Sequence, residues 1–79
     1  MDYTEYIVRD LAICGGEPIF KGTRVTLRTI LASLAAGDST SVILQAFPSL
    51  NEQHVCAAIA FAAASAVEDL PLRALPQVA

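Results

Sequence analysis

Few residues in this chain can do covalent or ligand chemistry: two cysteines, Cys14 and Cys56, one histidine, His54, and the basic loop Lys21-Gly22-Thr23-Arg24. Nucleophilic catalysis needs a serine or cysteine beside a base that a third group orients, and a single imidazole leaves little to build with. Zinc needs three or four ligands at paired spacings, a pattern that two cysteines 42 positions apart and one histidine do not make. In a nucleotide-binding Walker loop the lysine follows the last glycine and a long helix opens at once, whereas here Lys21 precedes Gly22. The expectation is a protein without catalytic centre, metal or cofactor, its cysteines reduced thiols rather than a disulfide.

Binding chemistry is better supplied. Lys21, Arg24 and Arg28 fall within eight positions that hold no acid, while Glu52, Glu68 and Asp69 load the C-terminal half. A net charge of −3 argues against a surface built wholly for nucleic acid. If nucleic acid is bound, Lys21, Arg24 and Arg28 are the candidates for its phosphates. Asn51, Gln53 and His54, at the start of a predicted helix, are the candidates for base edges, with Glu52 among them working against the contact.

The elements that must position these residues follow from punctuation and periodicity. Between Tyr6 and Phe20 short apolar pieces are broken by Gly15-Gly16-Glu17-Pro18, which predicts two extended segments flanking a turn. Thr26 then caps a helix over Leu27–Ala36, whose Leu27, Ile30, Leu31 and Leu34 share one face and which Gly37 stops. A second helix is predicted over Thr40–Phe47, ended by Pro48. Asn51 caps the third, from Glu52 to about Val67. The fold class is therefore mainly α: a tri-helical, helix-turn-helix-like bundle preceded by a short β-hairpin or extended N-terminal segment. It forms one domain over residues 1–69, with an arm at 1–25, three helices at 26–69 and an extended tail at 70–79.

At 54% hydrophobic and 16% charged residues, the chain is more apolar than the roughly 45–50% and 25% of an average globular protein. The third helix is apolar all round and must be covered on more than one side. The sequence thus predicts a homodimer, with Ile59, Phe61 and Ala62 near its seam, and a tail whose Leu70, Leu72 and Leu75 can anchor a partner. The apolar stretch Val55–Val67 is too short for a membrane span, which takes about 20 residues. The acidic start Met1-Asp2-Tyr3-Thr4-Glu5 does not read as a secretory signal, so the expected location is cytoplasmic.

The run Cys14-Gly15-Gly16-Glu17-Pro18-Ile19-Phe20-Lys21-Gly22-Thr23-Arg24-Val25 resembles the signature of the bacterial domain of unknown function family 433. In that family Gly-Gly, Pro, Ile and Gly-Thr-Arg recur at these spacings. The resemblance extends from about Tyr6 to Ala62 through Ile30-Leu31, Leu34-Ala35-Ala36-Gly37 and Phe47-Pro48-Ser49-Leu50, with Asn51 where threonine is more usual. It implies a helix-turn-helix-like fold and a structural or interface role for Gly15, Gly16, Pro18, Gly22, Thr23 and Arg24. It also implies an antitoxin that neutralises a PIN-like toxin nuclease and binds its own promoter DNA. The other readings are a free-standing DNA-binding regulator and a structural dimerisation module.

Overall fold

The computed structural model describes residues 1–69. A 3-10 turn at Tyr3–Glu5 leads into strand β1 (Ile7–Arg9), which pairs antiparallel with β2 (Pro18–Phe20). Ile7 stands opposite Phe20, Val8 opposite Ile19 and Arg9 opposite Pro18. Three helices follow: α1 (Leu27–Ala35), α2 (Thr40–Ala46) and α3 (Glu52–Asp69). The tail anchors Leu70, Leu72 and Leu75 lie outside the described residues.

The glycine-rich run is the hairpin's connection. Cys14, Gly15 and Gly16 take φ values of 51°, 66° and 84°, three successive left-handed residues of which the two glycines adopt the conformation without strain and Cys14 is the non-glycine exception. Arg9 locks this loop by donating from Nε to the Gly16 carbonyl at 2.7 Å. Pro18 follows as the first residue of β2, a position where a missing N–H is tolerated. The next turn is equally determined. Thr23 donates its N–H to the Phe20 carbonyl at 2.9 Å, and Gly22, at φ 80°, supplies the left-handed third position of a type II turn. The Thr23 hydroxyl donates to the same carbonyl at 2.8 Å and accepts from the Val25 N–H at 3.1 Å.

Each helix starts and stops for a local reason. The Thr26 hydroxyl accepts from the Thr29 N–H and the Ser39 hydroxyl from the Val42 N–H, satisfying donors that a helix start leaves open. Helix α1 ends in a Schellman motif: Asp38 donates to the Ser33 carbonyl, Gly37 to the Leu34 carbonyl, and Gly37 lies at φ 94°. Ala36, expected as the last helical residue, is the cap. Phe47, also expected inside a helix, is the C-cap of α2 and has left the helical region, as Pro48 requires of the residue before it. At the other end α3 runs two residues beyond the expected Val67.

One core joins all these pieces. Phe20 from β2, Leu27 and Ile30 from α1, Ile43 from α2, Leu50 from the α2–α3 turn, and Val55 and Ala58 from α3 form a single buried cluster. Ile7, Val25, Leu31, Leu34, Leu44, Phe47 and Phe61 close around it.

Candidate binding surface

The start of α3 is built by a reciprocal cap. The Asn51 side-chain oxygen accepts from the Gln53 and His54 N–H groups at 2.9 and 3.2 Å, while the Asn51 N–H donates to His54 Nδ1 at 2.9 Å. This is a capping box in which histidine takes the place of the usual glutamate or glutamine. The imidazole turns inward, edge-to-face with Tyr6 at 5.8 Å and with Phe20 at 5.6 Å. Of the three candidate base-reading residues, Asn51 and His54 are thus occupied in holding α3 against the hairpin. Gln53 is exposed, beside the exposed Glu52.

Burial pushes the pKa of His54 below its ordinary value of 6.5. Its neutral form is therefore the one the fold favours, and Nδ1 can accept from Asn51 only while unprotonated. The stabilisation is fully present above the unfolded-state pKa of about 6.5 and is lost as pH falls from there through the lower folded-state value. Urea midpoints measured from pH 7.5 to 5 should fall more steeply for the native chain than for His54→Gln, which keeps an acceptor in the cap and cannot titrate. Equal slopes would exclude this linkage.

Lys21, Arg24 and Arg28 are all exposed, on the turn after β2 and the first turn of α1. Arg28 lies 3.3 Å from Glu17 in an ion pair too open to water to stabilise the fold much. The signature residues are scaffold: Gly15, Gly16 and Gly22 supply left-handed backbone, Pro18 opens β2 and Thr23 closes the turn. The Arg24 carbonyl accepts from Cys14 Sγ at 3.5 Å while the Arg24 side chain faces solvent. Cys14 and Cys56 are unbridged and exposed.

Helix α3 carries an exposed apolar face. Val55, Ala57 and Ala58 are buried, whereas Cys56, Ile59, Ala63, Ala66 and Val67 are exposed, Ile59 at 51% and Val67 at 87%. At about 100° per residue the exposed positions, with Glu52 and Gln53, fill one continuous arc of roughly 140°. Of the expected seam residues, Ile59 lies on this open arc. Phe61, two positions on, points about 200° away from it, where it meets Tyr3 edge-to-face at 5.3 Å and packs against the core. Ala62 is half-buried. Cys56, Ala63, Ala66 and Val67 share the open arc with Ile59, and the sequence did not single them out. Their signal is the alternating spacing of 3 and 4 in Cys56, Ile59, Ala63 and Ala66, which becomes readable once the buried arc is known.

The fold is thus a small three-helix domain led by a β-hairpin. A family model described as "Protein of unknown function (DUF433)" matches residues 7–62, and the chain belongs to that family. The chain is similar to "Uncharacterized protein y4eO" of Sinorhizobium fredii (strain NBRC 101917 / NGR234), with 38% identity over 61 residues. That match covers 77% of this chain and only 28% of the relative, so the relative carries much additional sequence. No solved structure matches the chain significantly. The family match starts at β1 and stops inside α3, so Cys56 and Ile59 fall within it and Ala63, Ala66 and Val67 beyond it.

No helix among the described residues is long and apolar enough to cross a membrane.

Proposed function

We propose that this chain is a non-catalytic binding protein of the antitoxin kind, which acts in the cytoplasm by masking a partner nuclease of the PIN-like type. The observation that carries this reading is the open arc of α3. An exposed isoleucine and valine on one helix face, with only Glu52 and Gln53 as polar members, form the sort of surface that marks a protein-protein contact. In this reading α2, the turn at Leu50 and α3 form a helix-turn-helix-like unit, and promoter DNA is met chiefly through the phosphate-directed Lys21, Arg24 and Arg28.

Co-expression with the product of an adjoining nuclease-sized reading frame tests the proposal. Relief of that product's toxicity and co-elution of the two chains are expected. Toxicity that persists, with no shared elution, would end the antitoxin reading. A salt-dependent mobility shift by this protein alone, abolished by Arg24→Ala with Arg28→Ala, would favour a free-standing DNA-binding regulator instead.

A further inference from the structure

The lysine and arginine residues among the described residues are Arg9, Lys21, Arg24 and Arg28, on the hairpin and the start of α1; Arg73 lies outside the described residues. From Pro18 to Gly37 the chain holds Lys21, Arg24 and Arg28 and no acid. All three are exposed, on the turn that joins β2 to α1 and on the first turn of α1. That helix has no acid in its first turn, where its own dipole is positive. One acid reaches this corner from outside the run: Glu17 Oε2 lies 3.3 Å from an Arg28 nitrogen. Arg9 is engaged by the Gly16 carbonyl, whereas no ion pair among the described residues involves Lys21 or Arg24. The end of α3 that would read bases is closed in the same fold. The Asn51 side chain and the His54 ring are used by the cap, and Glu52 sets an anion beside Gln53.

We propose that the β2–α1 corner grips the phosphates of duplex DNA without reading its sequence, and that Glu17 withholds part of that grip by occupying Arg28. Phosphate contacts position a protein on a duplex and carry no sequence information, and the side chains at the start of α3 that would add it are committed to the cap. An ion pair as open to water as Glu17–Arg28 is weak, so a phosphate can displace the carboxylate. The displaced carboxylate then lies close to the incoming anion and opposes it. Three phosphate contacts give a slope of about −2.7 in log affinity against log salt, so the grip is a low-salt one. This inference rests on the nucleic-acid half of the reading above and adds that the contact is indifferent to sequence.

Labelled duplexes of equal length, one carrying the sequence upstream of this reading frame and two of unrelated sequence, are titrated with the full chain by fluorescence anisotropy at low salt. Their affinities should agree within about threefold, with a log-log salt slope of about −2 to −3. Lys21→Ala and Arg24→Ala should each weaken binding and take about 1 off that slope, while Gln53→Ala should leave both unchanged. Glu17→Gln should tighten binding by about threefold or more, a gain at least about twofold smaller in an Arg28→Ala background. Circular dichroism of each surface variant checks that it is folded. A preference of about tenfold for the upstream duplex, a loss on Gln53→Ala, or a Glu17→Gln gain that is absent or unaffected by Arg28→Ala would overturn the proposal. So would the absence of binding to every duplex, or equally tight binding of poly-glutamate. The two proposals fail separately. A nuclease that co-elutes with a chain that binds no duplex refutes the phosphate grip and leaves the antitoxin reading standing. Duplex binding without any nuclease complex does the reverse.

Discussion

Phe20→Ala is expected to lower the unfolding free energy by about 3–5 kcal/mol in a urea titration followed by circular dichroism. The ring is fully buried at the end of β2 and belongs to the cluster that joins every helix. It also backs the imidazole that caps α3, at 5.6 Å, so its removal opens a void beneath the N-terminus of the longest helix. A chain of this size has a total stability of only about 4–12 kcal/mol at the usual 0.05–0.15 kcal/mol per residue. The variant should therefore be largely unfolded, or close to it, at 37 °C. A loss below about 1 kcal/mol would show that the ring is not the centre of the core.

Two isoleucines provide the second large effect and its internal control. Ile30 is fully buried on α1, and Ile30→Ala should cost about 2–5 kcal/mol by the same titration. Ile59, on α3, is half exposed, and Ile59→Ala should change stability by less than about 1 kcal/mol, because little buried contact is lost and alanine is the better helix former. The substitution is identical in both cases, so the difference measures the surroundings alone. Equal losses would mean that the arc containing Ile59 is closed in solution, and the docking argument would go with it.

The helices were legible because their ends are chemical. Thr26, Gly37, Pro48 and Asn51 each satisfy or forbid a particular backbone hydrogen bond, and each acts at or next to the position the sequence indicated. The two extended pieces were legible from Gly15-Gly16 and Pro18, and a hairpin was one of the two arrangements expected of them, but their register was not legible. That register depends on a connection from Asp10 to Glu17, longer than any tight turn and held by Arg9 reaching back to the Gly16 carbonyl.

The candidate site was harder to read, for a different physical reason. A helix made largely of alanine has no polar face to orient it, so the sequence shows that α3 needs cover without showing which arc is already covered. The N-terminal arm decides this. Tyr3 takes Phe61, Tyr6 and Phe20 take His54, and Ile59 is left on the far side. His54 was open to misreading because a helix-start histidine suits both base recognition and a capping box, and only the backbone geometry distinguishes them.

Leu50 lies in the turn between α2 and α3, yet it is buried in the common core at 6% exposure. A connecting residue in that position acts as a rivet: the two helices cannot change their angle without pulling it into water. Whatever settles on α3 therefore meets a rigid platform, and the shape adjustment on binding falls to the guest.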